Sequence, residues 1–260
     1  MSENVHPRAD ELDGMSALEL VALIHGEDAN AVAAMSPALE DIARAVEAIA
    51  GRMRIGGRLH YFGAGTSGLI AAMDAFECPE TFGLEEGLVQ AHVVTDPGQE
   101  DDQALGYARA GTAGLEPADV AVGVSASGNT PYVLGALERA AAERSLRIAV
   151  ACRPGSALAR SADLAIEVDT GPEVIAGSTR LKAGTAQKLV LNMLSTAVFT
   201  RLGRTYRGRM VGVVAGNEKR RERGARIIAD LAGVPLDEAR RLLDESGGDV
   251  RAALAGASKP

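Results

Sequence analysis

The chain has 260 residues, 47% of them apolar, with four Phe, four Tyr and no Trp. That length allows one large α/β domain, or one domain with a small appendage, and a substantial core built from Ala, Val, Leu and Ile. A net charge of −8 argues against nucleic-acid binding as the main activity. Cys78 and Cys152 form neither a metal-ligand spacing nor a disulfide framework. No leader-like segment or apolar run of transmembrane length stands out, so the expectation is a cytoplasmic protein with no membrane partner.

The first dozen residues are polar and expected to be irregular. From Ser16 to Ile49 apolar residues recur at helical spacing, which predicts two helices separated near Asp28 to Asn30. Strand-like and helix-like runs then alternate. Leu59 to Phe62, Ala91 to Val94, Val120 to Val124, Arg147 to Ala151 and Leu164 to Val168 read as strands. Helical patterns follow the first strand through Leu69 to Met73, and the third from Tyr132 to Arg144. This alternation predicts a doubly wound α/β fold with a mostly parallel sheet, covered on both faces. A long helix is expected from Thr179 to Leu202, another from Asn217 to Leu231, and two short amphipathic ones about Gly247 and Gly248 in the tail. The implied organisation is an N-terminal helical segment over 1–50, a sheet domain over 51–232 and a helical appendage over 233–260.

Two Gly/Ser/Thr loops follow the first and third strands: Gly63-Ala64-Gly65-Thr66-Ser67-Gly68 and Ser125-Ala126-Ser127-Gly128-Asn129-Thr130-Pro131. Each offers backbone N–H groups and hydroxyls at a helix N-terminus, where an anion is favoured. Both fall at strand carboxyl ends, where ligands bind in such sheets. Gly65, Thr66, Ser67, Ser125, Ser127, Asn129 and Thr130 are therefore candidate phosphate-binding residues. Gly63, Gly65 and Gly68 also fit a dinucleotide spacing, but the next strand ends at Asp96, too far on for the acidic partner that pattern requires. In the second loop the hydroxyls could also serve as helix caps, since Pro131 suits a first helical turn.

These loops, with the stretch from Gly171 to Lys188 (GPEVIAGSTRLKAGTAQK), Asp74 to Pro79 (DAFECP) and Leu189 to Thr196 (LVLNMLST), resemble the sugar isomerase (SIS) family, and within it the N-acetylmuramic acid 6-phosphate etherases. The resemblance covers residues 16 to 230. It implies a homodimer, no metal and no organic cofactor. It also implies cleavage of the lactyl ether of a sugar phosphate, giving N-acetylglucosamine 6-phosphate and D-lactate in cell-wall recycling. In that chemistry a base removes the C2 proton of the ring-opened sugar while an acid helps lactate leave C3, and water then adds back. Two carboxylates with separated pKa values can do this. The family's acid position maps onto Glu77 and its second catalytic carboxylate onto Glu100. Glu173 is implied as a ligand contact, and Ser178, Thr179 and Lys182 as further substrate-binding residues that could instead anchor the long helix. His60 and His92 lie within strands and read as structural.

The chain departs from the etherase pattern at several positions. Leu69 stands where Arg follows the first loop, Phe76 where a small Ser precedes the acid, and Asn129 where the second loop has Arg. The segment before Glu100 is shorter, and Gly212 and Gly216 replace Asp and Thr. Losing the cation at 129 removes a strong charge-assisted partner for phosphate or carboxylate. The alternatives this leaves are a phosphosugar isomerase and a non-catalytic sugar-phosphate sensor.

Overall fold

The structure, a computed structural model, describes residues 4–213 and 217–257. It divides into two compact units, one of residues 1–75 and 87–196, the other of residues 76–86 and 197–260. The boundaries fall inside two helices. The second unit therefore begins well before residue 233 and takes in a short segment from the middle of the chain.

In the first unit a 3-10 turn over Ala9–Gly14 gives the N-terminal segment more order than its polarity suggests. Helix α1 (Ala17–Ala33) opens on a capping box, in which Ser16 and Glu19 each bind the other's backbone N–H. It runs through the expected break at Asp28 to Asn30. The interruption comes instead at a 3-10 turn, Ser36–Ala38, whose Pro37 cannot continue the helix. Helix α2 (Leu39–Arg54) follows, with Ile42, Ala45, Val46, Ile49 and Ala50 buried along one face.

The sheet begins with β1 (Leu59–Ala64), followed by α3 (Gly65–Phe82) and β2 (Val89–Val94). Two helices, α4 (Pro97–Glu100) and α5 (Gln103–Thr112), lead to β3 (Val120–Ser125). Then come α6 (Pro131–Ala142), β4 (Leu146–Ala151), α7 (Ala157–Ser161), β5 (Leu164–Glu167) and the long α8 (Lys182–Arg201). All strand pairings are parallel, in the order β2-β1-β3-β4-β5. Every residue of β1 and β3 is buried, as parallel strands covered on both faces require. The core is less purely aliphatic than the composition predicts: Tyr61, Phe62 and Tyr132 are among its largest fully buried side chains.

Two backbone contacts set the position of α5. A Cβ at Gly106 would lie 1.8 Å from the Tyr132 carbonyl oxygen, and one at Gly135 would lie 2.0 Å from that of Gln103. Helices α5 and α6 thus cross at glycine, backbone against backbone. Within the sheet His60 and His92 stack with centroids 5.4 Å apart, and the His60 Nδ1 to His92 Nε2 distance is 3.1 Å. Arg58 seals the neighbouring strand ends by binding the buried Asp119 through its backbone N–H (2.7 Å) and its guanidinium (2.6 Å).

In the second unit, α9 (Glu218–Ala232), α10 (Leu236–Glu245) and α11 (Val250–Ala257) enclose a small core of Ala225, Ile228, Ala239, Leu243, Val250 and Ala253. Phe82 packs on Phe199 within the same unit. Gly212 is sterically required: a Cβ there would lie 2.3 Å from the Phe82 carbonyl oxygen, so the Asp of the etherase pattern has no room. Gly216 lies outside the described residues. No helix of the described residues is long and apolar enough to cross a membrane.

Candidate active site

The strand order reverses direction of growth between β1 and β3, and a doubly wound sheet opens a crevice there at the strands' carboxyl ends. Both glycine-rich segments leave the sheet at this point. The first is tighter than a loop: Gly63 and Ala64 complete β1 and α3 starts at Gly65. This reversal works because Gly63 and Gly68 touch; a Cβ on Gly63 would sit 2.7 Å from the Gly68 Cα. Gly65 takes a left-handed φ of 52°, a conformation costly for other residues. Thr66 and Ser67 therefore belong to the first turn of α3, with Thr66 exposed and Ser67 buried.

The second segment is an open loop whose hydroxyls bind each other. Ser125 Oγ lies 2.8 Å from Thr130 Oγ1, and it accepts the Gly128 N–H at 3.0 Å. Thr130 occupies the N-cap position of α6 without a side-chain bond to the helix, so capping does not account for its hydroxyl. Asn129 acts as a brace: its Nδ2 donates to the Ser127 carbonyl at 3.1 Å, and its Oδ1 accepts the Ala157 N–H at 3.2 Å.

Beside this loop lies a cavity of about 410 Å³, lined among others by Ser127, Cys152, Arg153, Asp169, Glu173 and Thr179. Three predicted ligand residues, Ser127, Glu173 and Thr179, thus meet at one space. Glu173 is 1% exposed and its two oxygens accept the N–H groups of Lys182 (3.0 Å) and Ala183 (2.9 Å) at the start of α8. It is an anchor for that helix as well as a wall of the cavity. Lys182, expected at the ligand, is not among the lining residues; its ammonium is buried against Glu27 of α1. Ser178 also lies outside the lining set. Cys152 contributes no thiolate: burial first, then the Glu173 and Asp169 carboxylates, push its thiol up to about 12.

Glu100 ends the short helix α4, half-buried, at the mouth of the first segment; a Cβ at Gly65 would be 3.9 Å from its Oε2. Thr66 in turn adjoins the stretch from Gly171 to Lys188, since a Cβ at Gly184 would be 3.7 Å from the Thr66 Cγ2 and 3.5 Å from the Thr179 carbonyl oxygen. Glu100, the first segment and the 171–188 stretch are thereby brought together. Glu77 is exposed on α3, in the portion assigned to the second unit. Leu69 and Phe76, two of the departures, are exposed at 57% and 77% and line no part of the cavity. Among the described residues no group of three His, Cys, Asp or Glu side chains is placed to hold a metal ion.

Arg153, Asp169 and Cys152 are cavity residues that sequence reasoning missed. Arg153 follows the carboxyl end of β4, and the pairing of that strand with β3 brings it beside the second loop.

A SIS domain model matches residues 104–197. The chain is 47% identical over 261 residues to the N-acetylmuramic acid 6-phosphate etherase of Streptomyces avermitilis, covering 97% of this chain and 84% of that one. It is 43% identical over 262 residues to the enzyme of the same name from Pectobacterium atrosepticum, covering 98% and 86%. A phosphoheptose isomerase from Francisella tularensis shares the fold, with a TM-score of 0.54 and 19% identity over 72% of this chain and 100% of that one. Identity at the level of the two etherases along nearly the whole chain, over a sheet with both glycine-rich segments at its switch point, identifies the chain as a member of the N-acetylmuramic acid 6-phosphate etherase family.

Proposed function

We propose that this protein cleaves the D-lactyl ether of N-acetylmuramic acid 6-phosphate, releasing N-acetylglucosamine 6-phosphate and D-lactate. The observation that carries the reading is the meeting of Ser127, Thr179 and Glu173 at one cavity beside the second loop, in a chain of this family. Hydroxyls suit a phosphate, and a carboxylate suits the hydroxyls of a sugar.

The reaction starts from the open-chain aldehyde, whose carbonyl acidifies the C2 proton. Glu100 takes that proton, the C3–O bond breaks with its electron pair on the lactate oxygen, and that oxygen takes up a proton, the acid role that the family's motif assigns to Glu77. Water then adds at C3 of the unsaturated aldehyde and a proton returns to C2. Glu100 suits the base role because it stands at the first segment, beside Gly65. Gly65, Thr66, Ser67, Ser125, Ser127 and Thr130 form the phosphate-facing set, with Asn129 shaping its loop.

The proposal extends to a homodimer in the cytoplasm. An exposed apolar face on α1 supports the first, with Leu18, Val21 and Val32 at 79%, 63% and 57% exposure. Cys78 and Cys152 are not joined in a disulfide, which suits a reducing compartment.

The experiment is incubation of the purified protein with N-acetylmuramic acid 6-phosphate and assay of D-lactate. Release of lactate with one solvent oxygen at C3 is expected. Solvent deuterium entering C2 without lactate would replace this reading with an isomerase, and stabilisation by phosphosugars without either would replace it with a sensor.

A further inference from the structure

We infer that Arg153 is the phosphate-gripping cation of this site, taking over from the second loop a role that Asn129 does not fill. The inference rests on the phosphosugar reading above and adds a specific residue to it. Arg153 is the only cation among the described residues lining the cavity, which it shares with the hydroxyls of Ser127 and Thr179. It is half-buried and has no hydrogen-bond or ion-pair partner among the described residues. A guanidinium carries five donors in a planar fork, and holding it partly out of water without an acceptor is unfavourable. A phosphate monoester supplies what it lacks, in the bidentate geometry Arg favours.

The backbone ties Arg153 to the second loop. The N–H of Cys152 donates to the Ala126 carbonyl at 3.0 Å, so the turn after β4 is pinned next to Ser127. Asn129 is spent elsewhere: it is exposed, lines no part of the cavity, and its amide braces Ser127 and the start of α7. The carboxylates facing the same space do not pair with Arg153. Glu173 is occupied by the Lys182 and Ala183 N–H groups, and Asp169 accepts the Gly171 N–H at 3.2 Å. Their negative charge makes a cation more necessary for holding a dianion there, and Arg153 is the one on the cavity wall.

The test is calorimetric titration of the full chain with N-acetylglucosamine 6-phosphate, which carries the phosphate but no lactyl group. Arg153→Ala is expected to raise Kd about tenfold or more, the loss typical of a charge-assisted contact. Arg153→Lys should recover part of the affinity, and the melting temperature without ligand should stay unchanged because no protein contact is lost. Arg153→Gln is the second variant should the alanine form fold poorly. Wild-type affinity in both Arg153→Ala and Arg153→Gln overturns the inference, as does a wild-type protein that does not bind N-acetylglucosamine 6-phosphate. So does an affinity loss confined to N-acetylmuramic acid 6-phosphate, which would assign Arg153 to the lactyl carboxylate. A wild-type protein that binds the product tightly but releases no lactate would end the etherase reading and leave the Arg153 result standing.

Discussion

The backbone N–H of Lys182 donates to the Glu173 carboxylate at 3.0 Å, while the same residue's ammonium reaches the opposite way, into Glu27. One residue therefore connects the cavity wall, the start of α8 and the N-terminal helix α1. Burial opposes ionisation of Glu27, and the Lys182 ammonium with His6 overcomes it, holding that carboxyl below its ordinary range. Lys182→Met should destabilise the protein by about 1–2 kcal/mol, because it removes the cation from Glu27 and leaves that carboxylate with Asn30 and His6. Affinity for N-acetylglucosamine 6-phosphate should change little. Thermal unfolding alongside titration checks both; a large affinity loss with an unchanged melting temperature would return Lys182 to the ligand.

Glu77→Gln and Ser127→Ala separate chemistry from binding. The first should lower lactate release by about 10²- to 10⁴-fold, the usual worth of a general acid, while phosphosugars still raise the melting temperature. The second should weaken phosphosugar binding by up to about tenfold, the worth of a single hydrogen bond. Unchanged affinity in Ser127→Ala would assign that hydroxyl to loop structure alone.

Acid should unfold the protein through the histidine pair in β1 and β2. Burial, then the neighbouring His92, lowers His60 to about 4, against its ordinary 6.5. His92 is lowered as well, by burial and Arg109. Across pH 6.5 to 4 the unfolded chain binds protons that the folded chain refuses, so stability falls as pH falls through that window. Asp119, held low against burial by Arg58, loses its contribution only at more acid pH. His60→Gln should flatten the slope of stability against pH between 6.5 and 4. An unaltered slope, measured by denaturant unfolding at several pH values, would clear His60 of this role.

Cys152 should resist alkylation. With its thiol pushed up to about 12 and its Sγ donating to the Ala183 carbonyl at 3.5 Å, almost no thiolate exists at about pH 8. Mass spectrometry after iodoacetamide treatment of the folded protein is expected to leave Cys152 unmodified. Rapid labelling there would contradict the burial described.

A polar substitution on α1 should break the proposed dimer. Val21→Asp places a charge in the exposed apolar face without touching the sheet core. Light scattering should then give half the wild-type mass, with the melting temperature lowered by loss of the partner. A wild-type protein that is already monomeric would refute the dimer outright.

The central strands were legible because β1 and β3 are short runs buried along their whole length, with little polar alternation to confuse them. Helix ends were harder. Asp28 to Asn30 read as a break on polarity, yet α1 continues because its capping box and following turns sustain it, and Pro37 stops it instead. The first glycine-rich segment suggested a loop, since a Gly63–Gly68 contact between strand and helix is a tertiary fact. Lys182 could not be read from its motif, because its partner Glu27 lies 155 residues away. Arg153 was hidden for a similar reason: only strand order brings the end of β4 beside the second loop. The composition suggested an aliphatic core, but it cannot reveal which of a few aromatics are buried.

The glycine crossing of α5 and α6 gears two parts of the site together. Helix α5 starts three residues after Glu100, and α6 starts where the second loop ends, so the proposed base and the phosphate loop hang from the same joint. Neither Gly106 nor Gly135 needs to meet a sugar for its loss to be felt. A Cβ at either one would meet a backbone carbonyl oxygen at 1.8 or 2.0 Å, so a single methyl there would push the helices apart and, with them, the base relative to the phosphate loop.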